Sequence, residues 1–344
     1  MAKSFFIVLG NGFTIDFINA IHKNQEVDVR NLFSHGDCVP WPADNEPGFL
    51  SHKRCTHLWQ LGARPNMGSE EAMALIEDII TCANMASNSK SVSRYLSSSY
   101  IQAYQELTAY LKYLFVYYNK KISDADIEGL VDWGWYRLFN KLNNSPDCDK
   151  VTIVTYNYDI WLERILMSAG INFEVLGVTN GKYNSQESSK FNIIKPHGSI
   201  SFAYRKPIDA SSFQVTSKTR ELTNGNLSDY TVDYDGLENV YMFNAMIPPA
   251  GDSSRIESSW AGELRKLALQ EAEMLNYGDE FIMCGISYWH VDRQEIDELL
   301  IAINSDINVK IINPSPPTTL SAVLTSLFDN HITYQNSSVL GGMY

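Results

Sequence analysis

The stretch Ser4-Phe-Phe-Ile-Val-Leu9, followed by Gly10-Asn11-Gly12, decides the fold of this chain. After Ser4 the first run is wholly apolar and rich in aromatic and β-branched side chains, which is typical of a strand buried on both faces of a parallel sheet. The two glycines then make a turn, and the apolar positions from Phe13 to Ile21 recur with helical spacing. Strand, glycine-rich turn and helix in this order are typical of the phosphate-binding corner of nucleotide-binding α/β folds.

The alternation of strand and helix returns after residue 150. Buried strands are predicted at 151–155, 171–176, 280–285 and 308–312, and helices at about 160–169, 257–275 and 291–303. This pattern predicts an α/β protein with a Rossmann-like, doubly wound parallel sheet.

Two segments interrupt the alternation. Residues 31–68 are irregular, and residues 69–144 have helical spacing, including one helix that begins at Ser123 and carries Trp133, Trp135 and Phe139 in a helix–helix core. Residues 180–245 have little helical period and are rich in Ser, Asn, Tyr and Thr. We therefore expect residues 1–30 and 145–344 to form the core, 31–144 a mostly helical insert, and 180–245 a β- or loop-rich insertion within the core.

Composition restricts the protein class. The 344 residues are 44% hydrophobic and 19% charged, which is globular and excludes disorder, collagen and coiled coil. The formal net charge of −13 disfavours direct contact with nucleic acid, because it repels phosphates. No apolar stretch approaches the roughly 20 residues of a membrane helix, so no membrane contact is expected. Five cysteines, an odd number, suit a reducing cytoplasm.

Two sequence blocks could carry chemistry in the first half of the predicted sheet. Gly10-Asn11-Gly12-Phe13-Thr14 offers backbone N–H groups to a pyrophosphate, although a tight turn without a ligand also explains it. Thr155-Tyr156-Asn157-Tyr158-Asp159 ends a buried strand, where ligands of open α/β sheets bind. Asn157 and Asp159 can grip ribose hydroxyls or hold a water, or they can simply cap the next helix.

Two further blocks follow later in the chain. His197, in Lys195-Pro-His-Gly-Ser199, has the best local context of the seven histidines for a general base, since the adjacent glycine leaves it accessible. A lone histidine is more often structural. Gly285 and Ser287, at one strand end, and Asn313, at the next, offer small or amide side chains for an adenosine.

A group of possible metal ligands lies in the irregular segment. It comprises His35, Cys38, His52, Cys55 and His57. The spacing could hold a zinc ion, but no C-x-x-C occurs and the segment is polar, so chance clustering is the preferred explanation and no metal is expected.

The collinear order of these blocks resembles the sirtuin superfamily, whose NAD-binding core reads GAGxS, TQNxD, HG, GTS and a strand ending in V-N. The resemblance covers about residues 1–30 and 150–315. No cysteine lies between Cys148 and Cys284, so the four-cysteine zinc module of sirtuin deacylases is absent, and Tyr156 stands at the glutamine of TQNxD. The chain looks more like the zinc-less, sirtuin-like NAD hydrolases of bacterial anti-phage defence. Its G-N-G-F opening also resembles that of the abortive-infection protein AbiH.

The resemblance implies roles for named residues. Asn157 and His197 would be the catalytic pair, with Asp159 binding the ribose or stabilising positive charge. The implied NAD⁺-binding residues are Gly10, Asn11, Gly12, Phe13, Thr14, Thr155, Gly285, Ser287 and Asn313.

These roles imply an NAD⁺ glycohydrolase that releases nicotinamide and ADP-ribose, an effector of abortive infection by NAD⁺ depletion in which NAD⁺ is a substrate. The alternative is a sensor or regulatory module of a defence complex that binds NAD or ADP-ribose without hydrolysing it. Expected partners are further copies of the chain, a partner ATPase, an Argonaute-like protein or a sensor subunit. A nuclease-coupled effector is a weaker possibility, disfavoured by the −13 charge and the missing carboxylate metal site.

Overall fold

The computed structural model describes residues 2–87, 98–184, 189–215, 225–248 and 259–343. Within them the strands are β1 Lys3–Leu9, β2 Cys148–Thr155, β3 Phe173–Val175, β4 Lys182–Tyr183, β5 Phe191–Ile194, β6 Phe202–Tyr204, β7 Tyr230–Val232, β8 Glu280–Cys284, β9 Asn308–Ile312 and β10 His331–Tyr334. The α-helices are α1 Asn11–Ala20, α2 Thr56–Gln60, α3 Ser69–Ser87, α4 Ser99–Lys121, α5 Asp124–Glu128, α6 Gly134–Asn144, α7 Trp161–Ser168, α8 Trp260–Glu273, α9 Arg293–Ala302 and α10 Thr318–Leu327.

Eight of these strands form the central sheet, in the order β10–β9–β8–β1–β2–β5–β3–β4. All neighbours are parallel except β3 and β4. Strand β1 lies inside the sheet. Strands β2 to β5 lie on one side of β1, and the later strands β8, β9 and β10 lie on the other side. The strand order therefore reverses at the boundary of β1 and β8, where α/β proteins bind ligands beside the carboxyl ends of their strands.

The α/β class with a large, mostly parallel sheet is confirmed, and the buried apolar runs of the sequence account for its middle strands. In β1 the residues Phe5 to Leu9 are all buried, and in β8 every residue is buried. None of the described helices combines the length and the apolar character that a membrane crossing needs.

The segment after Ser123 forms two helices where one was predicted. Ser123 and Asp126 make a capping box, but α5 ends at Glu128 and a turn separates it from α6. Gly134 begins α6 against the backbone of Ser337, whose carbonyl oxygen would lie 1.9 Å from an added Cβ. Close approach of this distant part of the chain leaves no room for a side chain at the first residue of α6, and no local sequence pattern indicates it.

The 180–245 segment, predicted as a β- or loop-rich insertion, contains strand β5 of the central sheet, between β2 and β3. Only four residues long, β5 is too short to stand out from its polar surroundings. The rest of the described segment is mostly irregular and includes the small β6–β7 pair. At the C-terminal end, α10 and β10 extend the sheet beyond the elements that the sequence predicted.

The helices α2 to α6 all lie in the connection between β1 and β2, within the predicted insert 31–144. An aromatic cluster joins this segment to the core. Phe13 of α1 packs on Trp133 and Trp135, with ring centroids 5.5 and 5.4 Å away, and Phe17 packs on Trp133 at 5.9 Å. The predicted aromatic core is confirmed, since Trp135 and Phe139 are fully buried.

Two glycine-bearing turns meet where the strand order reverses. An added Cβ on Gly12 would lie 2.3 Å from the Cα of Gly285, and one on Gly10 would lie 2.7 Å from the Gly285 carbonyl oxygen. The N–H of Gly12 donates to that oxygen at 3.1 Å, and Gly285 has a φ of +61°. Close backbone approach is thus one reason for glycine at all three positions.

We expect Gly12→Ala to destabilise the protein by about 3 kcal/mol or more, because its methyl group would meet backbone that cannot rotate away. Urea unfolding would measure the change. Gly68→Ala is the control, since its nearest contact would be a side-chain oxygen at 4.0 Å, and it should change stability by less than about 0.5 kcal/mol. Equal stability of the two variants would contradict the packing role of Gly12.

Candidate functional site

A cavity of about 180 Å³ lies at the carboxyl ends of four neighbouring strands. Gly10 and Asn11 follow β1, Tyr156 and Asn157 follow β2, His197 follows β5, and Gly285 to Ser287 follow β8. These residues are distant in the sequence but close in space, because parallel strands bring their carboxyl ends to the same edge of the sheet.

Apolar side chains from the segment between β1 and β2 cover this edge. The cavity is lined on that side by Val29, Leu32, Met73, Ile76, Leu111 and Phe115. Of these, Met73 and Ile76 belong to α3, and Leu111 and Phe115 to α4. The helical segment and the sheet therefore build the cavity together, and most polar groups come from the sheet.

A hydrogen-bond network ties Asn157 to the start of α1. The Asn157 Nδ2 donates to the Gly10 carbonyl at 2.9 Å and to Thr14 Oγ1 at 3.0 Å. Thr14 Oγ1 in turn donates to Asp159 Oδ2 at 2.8 Å. The amide nitrogen of Asn157 is thus engaged, whereas its Oδ1 accepts no hydrogen bond from the residues that the structure describes.

Asp159 is buried at the centre of a second set of contacts. Its Oδ1 accepts from the N–H of Trp161, the first residue of α7, at 3.0 Å, although the N-cap position of this helix is Ile160. Lys195 Nζ donates to the backbone carbonyl of Asp159 and, at 2.8 Å, to Glu163 Oε1. The side chains of Lys195 and Glu163 are both fully buried. Burial raises the pKa of Asp159 to about 6, although Lys195 and the Thr14 hydroxyl act in the opposite direction.

His197 is held on one side by a buried ion pair. Its Nε2 lies 3.1 Å from Glu295 Oε2, and Arg265 lies 2.7 Å from the same oxygen. Although burial opposes ionisation, the contacts with His197 and Arg265 outweigh it and hold the pKa of Glu295 below its usual range. An ionised Glu295 only accepts hydrogen bonds, so Nε2 carries the proton and a neutral imidazole keeps its lone pair on Nδ1. The ring of Tyr156 packs on His197 with centroids 4.9 Å apart.

Asp292 adds a carboxylate without a partner. It lines the cavity, and its Oδ1 is buried yet accepts no hydrogen bond within the described chain. Burial raises the pKa of Asp292 to about 6, although the nearby His197 and Arg265 act in the opposite direction. An uncompensated buried carboxylate is costly, which makes it a marker of functional sites.

The structure brings seven of the twelve predicted site residues to the cavity: Gly10, Asn11, Asn157, Asp159, His197, Gly285 and Ser287. Thr14 and Thr155 do not line it but hydrogen-bond to residues that do. Gly12 packs on Gly285, and Phe13 faces the aromatic core. Asn313 directly follows β9 and lies outside the cavity, where its Oδ1 accepts the Ser315 N–H at 3.0 Å.

Sequence reasoning missed Glu295 and Arg265, which hold His197. Both lie on helices, in positions that read as ordinary polar residues of an amphipathic helix. It also missed the apolar residues of α3 and α4 as cavity lining. The one available signal in the sequence was that α4 has apolar residues on more than one face, and the structure shows that these are buried on more than one side.

The possible metal ligands of the irregular segment are engaged elsewhere. His57 Nδ1 lies 2.7 Å from Glu106, and His35 Nδ1 lies 3.0 Å from the Tyr118 hydroxyl. Cys55 is buried, which raises the pKa of its thiol. Nowhere in the described ranges do three His, Cys, Asp or Glu side chains form a group that could hold a metal ion.

We expect Lys195→Met to lower the free energy of unfolding by about 3–5 kcal/mol, because it leaves Glu163 as an uncompensated charge in the interior. Adding Glu163→Leu should recover much of the loss, since an apolar pair needs no counterion. Lys182→Met is the control. Lys182 is largely exposed and lies 3.6 Å from Glu174, so its loss should have little effect in the same urea titrations.

The pKa of Asp159 predicts a pH dependence of stability. Because the folded-state pKa of about 6 exceeds the ordinary 3.8, the folded protein binds the extra proton between these values. This contribution is complete below about pH 4 and is lost as the pH rises through about 6, a change of roughly 3 kcal/mol. Unfolding of wild type and Asp159→Asn from pH 4 to 7 should therefore show wild type losing stability relative to the variant. The exposed control Asp306→Asn should show no such trend, and a flat Asp159→Asn difference would refute the assignment.

Comparison with known proteins does not assign this geometry to a family. No protein-family model matches the chain, and no curated protein matches it. The function must therefore be argued from the chemistry of the cavity.

Proposed function

We propose that this protein is an NAD⁺ glycohydrolase that cleaves NAD⁺ to nicotinamide and ADP-ribose. The observation that carries the proposal is that Asn157 and His197, predicted as a catalytic pair from separate blocks, line one cavity from the ends of the adjacent strands β2 and β5. The cavity lies at the edge where α/β sheets bind nucleotides.

Hydrolysis of the bond between ribose and nicotinamide needs a general base and a group that orients the water, and the cavity offers a side chain for each. The bond between the ribose C1′ and the pyridinium nitrogen breaks, and its electron pair leaves with neutral nicotinamide. A water oxygen bonds to C1′, and the water's proton goes to a base. His197 is that base through Nδ1, which makes no hydrogen bond to a described residue, while Glu295 fixes its tautomer and orientation. Asn157 orients the water or the ribose hydroxyls through its Oδ1.

Asp159 has a supporting role in this scheme. Both of its carboxylate oxygens accept hydrogen bonds from the protein, from Thr14 and Trp161. It holds the Asn157 loop against α1 and contributes negative charge near the oxocarbenium-like transition state.

The same proposal gives the fold a finer description. The chain is a zinc-less sirtuin-like core with a helical subdomain inserted after its first strand and helix. Such a hydrolase would serve as an effector of bacterial anti-phage defence by depleting NAD⁺. It would be controlled by self-assembly or by a partner subunit, an ATPase, an Argonaute-like protein or a sensor.

The second candidate is a module that binds NAD or ADP-ribose without cleaving it. One observation favours it, namely that the amide nitrogen of Asn157 and both oxygens of Asp159 are already engaged within the protein. Recovery of intact ligand from a tight complex, without NAD⁺ loss in cells, would support this candidate.

The test is release of nicotinamide from NAD⁺ by purified protein, alone and with the products of neighbouring genes co-expressed. We expect Asn157→Ala and His197→Ala each to lower turnover by about a hundredfold or more, the range for a positioned general base. His52→Ala, an exposed histidine away from the cavity, should retain wild-type turnover. Full activity in both cavity variants, or no turnover under any of these conditions, would reject the hydrolase.

A further inference from the structure

The charges around the cavity do not balance. Lys195 pairs with Glu163 inside the protein, and Arg265 and His290, which lie near Asp292, pair with Glu295 and Glu77. Asp292 lines the cavity, and its buried Oδ1 has no hydrogen-bond partner in the described part of the chain. A ligand with positive charge would supply what this carboxylate lacks.

Aromatic rings form part of the same lining. Phe115, Tyr156 and Trp289 all contribute to the cavity. The faces of such rings attract cations, more strongly where water is excluded. A flat, cationic and otherwise apolar group is therefore favoured both by the rings and by Asp292.

The size of the cavity limits what enters it. At about 180 Å³ it is smaller than the roughly 300–1,000 Å³ of typical drug-sized ligand sites, so a dinucleotide can place only one end in it. The adenine end of NAD⁺ is uncharged at neutral pH and the pyrophosphate is anionic. Only the pyridinium end is cationic.

We propose that the cavity binds the cationic pyridinium end of NAD⁺ and that Asp292 is the residue that selects it by charge. This inference rests on the proposed function and adds to it the orientation of the substrate and a preference for oxidised over reduced dinucleotide. The reduced ring is uncharged, so it would gain nothing from Asp292.

The ionisation of Asp292 is consistent with this role. Burial raises its pKa to about 6, and the charged or titratable groups that face it are His197, Glu295, Arg265 and His290. The protein alone thus stabilises the carboxylate poorly, and a bound pyridinium would stabilise it. Asp292 is also the N-cap residue of α9 without a side-chain capping bond, so asparagine at this position should preserve the helix.

The experiment is calorimetric titration of the whole protein at pH 7 with three probes. They are nicotinamide methylated on its ring nitrogen, which is a permanent cation, nicotinamide itself as its neutral counterpart, and AMP for the adenine end. We expect the cation to bind at least tenfold more tightly than nicotinamide, with AMP unable to displace it. Asp292→Asn should lower the affinity for the cationic probe by roughly tenfold to a hundredfold and leave the affinity for nicotinamide unchanged.

Glu298→Gln is the matched control, because Glu298 is an exposed carboxylate on the same helix. It should bind all three probes as wild type does. If Asp292→Asn does not fold, the comparison of cation with neutral probe on wild type still decides the charge preference. Equal affinity for the two nicotinamide probes, or displacement of the cation by AMP, would overturn the inference.

Binding and cleavage can fail separately. Asp292-dependent binding of the cation without nicotinamide release from NAD⁺ would support this inference and reject the hydrolase. Release of nicotinamide combined with cation binding that is insensitive to Asp292→Asn would support the hydrolase and reject the role of Asp292.

Discussion

The backbone contact between Gly12 and Gly285 is the constraint on which the arrangement of the cavity depends. It joins the turn after β1 to the turn after β8 at the point where the strand order reverses. A side chain at either position would push the two turns apart. The Gly12 N–H is used in this contact, donating to the Gly285 carbonyl, so part of the amino-terminal end of α1 serves the fold.

From this contact a chain of buried polar interactions leads to the cavity. Thr14 on α1 links Asn157 to Asp159, and Lys195 links Asp159 to Glu163. His197, two residues after Lys195, is held from the other side by Glu295. Buried hydrogen bonds of this kind rigidify the groups that they connect. Asn157 and His197 are therefore held in place by the sheet side of the cavity, and the apolar residues of α3 and α4 line its other side.

The sequence predicted the strands and their turns well where burial is uniform along a run, as in β1 and β8. It also identified the blocks around Asn157 and His197, because glycines and polar residues directly after an apolar strand are locally conspicuous. It did not predict the separate helices α5 and α6, the short core strand β5, or the C-terminal α10 and β10. Gly134 at the start of α6 packs against the backbone of Ser337, which is distant in the chain, and β5 is too short for a periodic signal.

What the sequence determined by itself is the class of the fold and a set of blocks that suit nucleotide chemistry, since both follow from local periodicity and residue type. The tertiary structure decided which of those residues share a cavity. It brought Asn157 and His197 together and directed Phe13 into the core and Asn313 elsewhere. It also added Glu295, Arg265 and the unpaired Asp292. The reason is physical, because charge pairing and burial are properties of neighbours in space, which only the folded chain defines.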